Sequence, residues 1–463
     1  DGTKDVIASD ESWEYRGSDI EESGIYFGEI LNRRLWDGKE NPWKHAVAAE
    51  PSAKPVDRYG VSVKAVEELS AAEILHTPAG ETVVDFGQNH AGYMEFTADF
   101  AAGTTVKFEV GEVLQEGNFY HDNYRDAESV FVYTSDGKKE TVRPHFTFYG
   151  YRYVKVSGWP GELKPGDIVS KVISSDLKRT GYIRTSDEKI NRLYENVIWG
   201  QKSNFVDIPT DCPQRSERLG WTGDTQVFAP TASYNMDTRA FYAKFLRDLR
   251  TEQVRADGAV PNFFPTFGEA GGSSIWGDVA TFVPDTLKGM YGEREQLEAF
   301  YPLMRDWVEY MHRRDVRDGD RGLFENDFSF GDWLALDGVT EQSFKGSTDD
   351  HYLDTAYYYR STQILSETAE RLGKTEDAKT YGALAKKIKQ AFLDKYVTPH
   401  GRLSMDTQAG YIVALKFGLY RDREVMIAQF KERLKKDCYQ IRCGFVGAPL
   451  LCLSLCENGM EDL

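Results

Sequence analysis

The chain has 463 residues, 41% of them hydrophobic and 13% aromatic, which predicts two or three folded domains and excludes a disordered protein. Its 56 basic and 74 acidic residues leave a net charge of −18. That field repels phosphate backbones and anionic lipid heads, so nucleic acid and membrane surfaces are excluded as partners. No apolar run reaches the roughly 20 residues of a membrane span. The 26 Tyr, 26 Phe and 9 Trp suit both carbohydrate stacking and an aromatic sandwich core. Cys212, Cys438, Cys443, Cys452 and Cys456 lack the close pairing and nearby histidines of a zinc site. They read as reduced structural thiols, Cys452 and Cys456 as a buried pair on an apolar helix, and they point to the cytoplasm.

Residues 1–55 carry short strand-like runs such as Gly24–Asn32, punctuated by Trp13, Trp36 and Trp43, and read as the end of a β-domain begun upstream. In residues 56–178 the alternation is clear: Thr82–Phe86, Gly92–Thr97, Thr104–Val110, Ser129–Thr134 and Tyr151–Val156 predict an antiparallel β-sandwich. The period changes near Thr185–Asp187. Ser186 is placed to cap a helix with Ile190, Leu193, Tyr194 and Val197 on its apolar face. Residues 179–463 then alternate helices with Gly-, Pro- and Asp-rich loops. The clearest helices cover Thr238–Glu252, Glu295–Arg313, Asp354–Leu372 and Ala378–Phe392. A β half followed by an α half predicts separate domains rather than an interleaved sheet. The chain begins without Met or a signal pattern and closes on an apolar run, so both ends read as cuts in a longer protein.

One stretch concentrates chemistry. Ile208–Asp224 holds Asp211, Glu217 and Asp224, the guanidinium groups of Arg215 and Arg218, and Trp221. Pro209, Pro213, Gly220 and Gly223 make one continuous helix through it unfavourable. Trp–Asp pairings recur in later loops, at Trp276 with Asp278 and at Asp332 with Trp333. Each has a plain reading as turn or cap chemistry. Three of them between successive helices suggest a pocket with aromatic walls and an acidic floor. Paired carboxyl groups are what glycoside hydrolysis needs, one to protonate the leaving oxygen and one to activate water or attack the sugar. No metal-spaced cluster, GxSxG elbow or P-loop occurs, so no metal and no cofactor is expected. His351, beside Asp349 and Asp350, reads as a solvated side chain.

Continued through Ser233, the Ile208–Asp224 stretch resembles the signature of bacterial α-L-rhamnosidases, glycoside hydrolase family 78. Asp85–Asn89 and Pro144–Tyr153 resemble that family's central sandwich, and Ile25–Glu29 the end of its N-terminal β-domain. Asp257–Pro261, Trp276–Asp278, Gly331–Trp333 and Cys443–Gly447 resemble motifs of its (α/α)6 six-hairpin barrel. The resemblance implies antiparallel β-sandwich domains followed by an all-α barrel incomplete in this chain. It also implies a metal-independent exo-hydrolase removing terminal α-L-rhamnose with inversion. Position by position, Glu217 matches the general acid, while Asp211, Arg215, Trp221, Asp224, Trp276, Asp278, Asp332 and Trp333 match residues lining the sugar pocket. The family's general base is a glutamate in a Thr-x-Trp-Glu-like loop, absent before Leu463, so the base is expected beyond this chain. Where many members carry Trp after Val-Pro, this chain has Asp285, which implies one altered pocket wall.

A general acid has to keep its proton near neutral pH, so Arg215 and Arg218 are expected to pair with the aspartates or face away from Glu217. The partner expected is a rhamnose-containing glycoside or oligosaccharide, and a homodimer is compatible with the sequence. Two other readings fit the same residues: a carbohydrate-binding protein without catalysis, and a six-hairpin glycosidase of different sugar specificity.

Overall fold

A seventeen-residue strand organises the first half of the protein in the computed structural model, which describes all residues except 1, 3, 37–40, 51, 52, 55, 269 and 270. The chain divides into two compact units, Asp1–Leu219 and Gly220–Leu463. In the first, strands β1 (Ile20–Gly24), β2 (Gly28–Asn32), β3 (Val63–Ser70), β4 (Glu73–His76), β5 (Thr82–Ala98), β6 (Thr105–Gly111), β7 (Val130–Thr134), β8 (Glu140–Val142), β9 (Tyr149–Ser157) and β10 (Ile168–Ser175) form one hydrogen-bonded system. Its order is β1-β2-β7-β6-β9-β5-β10-β3, with β4 and β8 also paired to β5. All pairs are antiparallel except β2 with β7.

Alternation explains the core. Along β6, Val106, Phe108 and Val110 are fully buried, whereas Lys107 and Glu109 point the other way and pair with each other, as period 2 requires. Phe86, Met94, Phe96, Phe131, Tyr133, Tyr149 and Tyr151 complete the same cluster. Thr82–Phe86 and Gly92–Thr97, which read as two strands, are one: β5 continues through Gly87, where φ is +75°. Asp85 takes a two-pronged ion pair from Arg152, with both N–O distances 2.8 Å, so two of the quoted motifs are neighbours across β5 and β9.

His90 is buried in this sheet. Its Nδ1–H donates to the Gln88 carbonyl at 2.8 Å and its Nε2 accepts from the Ser170 hydroxyl at 2.6 Å. Burial lowers its pKa from 6.5 to about 4. Because the folded value lies below the unfolded one, the stability His90 contributes is present above about pH 6.5 and lost as pH falls toward 4. Chemical denaturation at pH 7 and pH 5 is expected to show about 2 kcal/mol less stability at pH 5 from this residue. His90→Gln should remove that pH-dependent difference.

The first helix, α1 (Glu188–Asn204), is capped by Asp187, whose carboxylate accepts from the Lys189 N–H, not by Ser186. Its expected apolar face is also differently placed: Ile190 and Leu193 are exposed, and Ile198, Gln201 and Ser203 are buried. In the second unit follow α2 (Thr222–Asn235), α3 (Arg239–Arg255), α4 (Val279–Tyr291), α5 (Arg294–Arg317), α6 (Asp350–Leu372), α7 (Thr375–Tyr396), α8 (Gln408–Phe417), α9 (Arg423–Lys436) and α10 (Ala448–Glu457). Gly292 and Gly373 end α4 and α6 in left-handed conformations, at φ +71° and +78°, which allow the tight turns into α5 and α7. Helix α2, expected to follow Asp224, begins two residues earlier at Thr222 and carries Pro230 in its interior.

All five thiols are free, but Cys452 and Cys456 are exposed on α10 rather than buried. Spacing four apart puts two residues on one helix face without saying which way that face turns. Cys212 and Cys443 are buried, and burial pushes each thiol up to about 12. Native thiol titration is therefore expected to label Cys438 quickly and Cys212 and Cys443 only after denaturation. Among the described residues no helix is long and apolar enough to cross a membrane.

Candidate active site

The chemistry-bearing loop closes on itself at the end of the first unit. Asp211 N–H donates to the Leu219 carbonyl at 2.9 Å, and Leu219 N–H returns a bond to the Asp211 carboxylate at 3.0 Å. Arg218 is buried at φ +50°. Its guanidinium donates to the carbonyls of Ile25, Phe148 and Gln214 and to the Ser129 hydroxyl. It is a staple between loop and sandwich, and burial pushes its pKa down.

Arg215 behaves otherwise than the sequence suggested. Its Nε donates to Glu217 Oε2 at 2.9 Å while Nη2 reaches Asp211 Oδ2 at 3.3 Å. It therefore does pair with an aspartate, but it also binds Glu217 itself. Arg125 adds a second guanidinium to the same Glu217 oxygen at 2.8 Å. The Tyr26 hydroxyl donates to the Glu217 carbonyl. Burial raises the pKa of Asp211, against the pull of its hydrogen bonds and of Arg215.

Asp211, Cys212 and Glu217 bring oxygen and sulfur atoms within 4.8 Å of one another, a spacing a metal ion can bridge. Here the Arg215 guanidinium already joins the two carboxylates, so their oxygens are engaged by a cation of the chain itself. The second such group, His312, Asp315 and Asp320, is likewise engaged: Asp315 accepts from Gly322 N–H, and Asp320 pairs with Lys387 at 2.5 Å. Beside the Asp211–Arg215 segment lies a polar cavity of about 400 Å³, lined by Gln88, Asn89, Glu112 and Trp199 among others.

In the second unit, Gly220–Trp221 pairs antiparallel with Phe263–Phe264, and Thr222 donates its hydroxyl to the Asn262 carbonyl at 2.8 Å. This sets Trp221 against Phe263, with ring centroids 5.0 Å apart. Phe330 then meets three tryptophans: Trp276 at 4.3 Å, Trp333 at 5.9 Å and Trp221 at 6.0 Å between centroids. Trp276 is buried between Phe330 and Phe445, the latter stacked at 4.8 Å. Gly223 is required there, since a Cβ would stand 2.6 Å from the Trp276 ring. Phe263, Phe330 and Phe445 were not singled out from sequence, although Phe445 lies inside the Cys443–Gly447 motif and Phe330 directly precedes Gly331–Trp333. Asp224 sits in the first turn of α2, whose N-cap is Trp221.

Asp278 and Asp332 lie in the packing, at 0% and 1% exposure. Asp278 accepts from Ile275 N–H, Trp307 Nε1–H and the hydroxyls of Ser274 and Ser361. Asp332 accepts from the N–H groups of Gly444, Val446 and Gly447, tying its loop to the Cys443–Gly447 segment. Burial raises the pKa of both. Asp285 lies on α4, ion-paired with Lys288 one turn on and 3.8 Å from Arg360 of α6.

Residues 75–174 match the bacterial α-L-rhamnosidase concanavalin-like domain, and residues 178–463 match the bacterial α-L-rhamnosidase six-hairpin glycosidase domain. The chain is 32% identical over its whole length to an α-L-rhamnosidase of Streptomyces avermitilis, covering 45% of that protein. It is 35% identical, again over its whole length, to one of Formosa agariphila, covering 51%. It thus spans about half the length of the curated relatives it matches. Among solved structures, an Aspergillus terreus α-L-rhamnosidase superposes with TM-score 0.93 at 32% identity, over 100% of this chain and 55% of that one. The Streptomyces avermitilis enzyme complexed with L-rhamnose gives 0.90 at 32% identity, over 100% and 45%. A β-rich first half with the concanavalin-like match, a helical second half with the six-hairpin match, and full-length likeness to these proteins lead to one conclusion: the chain belongs to the bacterial α-L-rhamnosidase family.

Proposed function

We propose that the protein is a glycoside hydrolase that removes terminal, non-reducing α-L-rhamnose from glycosides or oligo- and polysaccharides, with inversion at the anomeric carbon. Glu217 is the general acid that protonates the departing oxygen, while water activated by a second carboxylate attacks from the opposite face. Asp211 and Arg215 position Glu217 and meet sugar hydroxyls. Trp221, Asp224, Trp276 and Trp333 belong to the sugar-binding set, with Asp278 and Asp332 holding the tryptophan-bearing loops in shape.

The observation that carries this reading is the hydrogen-bonded Asp211–Arg215–Glu217 cluster, which gathers two carboxyl groups on one guanidinium, inside a chain that shares its family with proteins named α-L-rhamnosidase. The name and the L-rhamnose complex of the Streptomyces avermitilis relative supply the sugar. A panel of aryl glycosides tests it, with hydrolysis of the α-L-rhamnoside expected at least tenfold faster than that of the glucoside or glucuronide, on the order of the discrimination a sugar pocket supplies. Preference for either of the latter would overturn the sugar assignment. Proton NMR of the first product tests inversion, which requires the β-anomer of rhamnose to appear first.

A further inference from the structure

Glu217 receives a cation from far away in sequence. Arg125 lies 92 residues earlier, in the sandwich, and places Nη1 2.8 Å from Glu217 Oε2. Its segment is built to hold that position. The Tyr124 hydroxyl is buried and donates to the Gly150 carbonyl. The His121 ring is within 2.8 Å of the Val110 carbonyl and 3.1 Å of that of Ala127. Arg125 itself adopts φ +58°, ψ −123°, a backbone conformation that side-chain-bearing residues rarely occupy and that persists only where surrounding structure enforces it. Two further bonds tie the segments together: Ser216 N–H to the Tyr124 carbonyl, and Asp126 N–H to the Ser216 hydroxyl, each at 3.3 Å.

The side chain of Arg125 is 55% exposed, so its ion pair adds little to folding. Arg215, the other cation on Glu217, divides its charge with Asp211. Cys212 and Tyr26 are neutral neighbours, and the Arg218 guanidinium is bound to three carbonyls and the Ser129 hydroxyl. When an acid gives up its proton, a full negative charge appears on its carboxylate, and a preorganised cation lowers the barrier to that step.

We propose that Arg125 is a positioning residue for the reaction, which fixes the Glu217 carboxyl and receives its charge as the proton passes to the leaving oxygen. The inference rests on reading Glu217 as the acid. In this step the Glu217 O–H bond breaks, the proton goes to the glycosidic oxygen as that oxygen's bond to the anomeric carbon breaks, and the carboxylate stays paired to Arg125 and Arg215.

The test is steady-state kinetics of Arg125→Ala and Arg125→Lys in the full chain, with and without Glu217→Gln, on a rhamnoside with a sugar leaving group and on an activated aryl rhamnoside. Arg125→Ala is expected to lower kcat about tenfold on the sugar leaving group, with KM within about twofold and little change on the activated aryl one. Arg125→Lys should recover most of the loss. In the Glu217→Gln background Arg125→Ala should add nothing, since a neutral amide carries no charge to receive. Equal losses on both substrates, or the same loss in that background, would reveal a merely structural role and overturn the proposal. Wild-type kinetics of Arg125→Ala beside an impaired Glu217→Gln would also overturn it while leaving the acid assignment standing. An unimpaired Glu217→Gln would remove the reading on which it rests.

Discussion

Glu217→Gln is expected to lower kcat on rhamnosides with poor leaving groups by about 10²- to 10⁴-fold, the range a positioned general acid supplies. The same substitution should spare activated aryl rhamnosides, whose leaving oxygen departs without a proton. The amide keeps the shape of the side chain and its carbonyl can still accept from Arg125 and Arg215 at the present distances of 2.8 and 2.9 Å. The loop should therefore stay in place, held by the Asp211–Leu219 bonds and by buried Arg218. Unchanged kcat on both substrates, with a folded protein by circular dichroism, would show that Glu217 is not the acid.

Asp278→Ala is expected to give the largest loss of stability, about 3–5 kcal/mol, because it strands several buried donors at once. The Ile275 N–H, the Trp307 indole N–H and two serine hydroxyls all point at this fully buried carboxylate. Their loss also loosens the turn Ser274–Asp278, on which buried Trp276 rides. The sign of the pH dependence is fixed by burial, which raises the folded pKa of Asp278 above its unfolded value. Folding then takes up a proton here, so the contribution is fully present below the unfolded carboxyl pKa of about 3.9 and declines as pH rises toward the folded value. The difference between wild type and Asp278→Ala should accordingly widen as pH is lowered through that window. Denaturant titrations at several pH values check both magnitude and direction, and Asp278→Asn, which keeps a carbonyl acceptor, should be milder.

Serine 186 and aspartate 187 show one reason why local reading stops short. Both are good caps one residue apart, and only the observed backbone shows which side chain meets the Lys189 N–H. Helix α1 shows another: Ile190, Leu193, Tyr194 and Val197 share a face, yet Ile190 and Leu193 are exposed. Periodicity groups residues on a face without naming what that face meets.

Strand alternation in Thr104–Val110, the change of period near Thr185, and the charged loop Ile208–Asp224 were all legible from residue order, because each depends on neighbours a few positions apart. So was the family, whose motifs are short and consecutive. What required the tertiary structure were partners brought from far along the chain: Arg125 on Glu217, Arg218 turned into carbonyls of the sandwich, Phe330 among three tryptophans, and Asp332 closed by the N–H groups of Gly444, Val446 and Gly447. A carboxylate reads the same in sequence whether it faces a sugar or a set of buried donors. Burial and the direction of hydrogen bonds, both set by packing, enclose Asp278 and Asp332 among buried donors and place Glu217 against the guanidinium groups of Arg125 and Arg215.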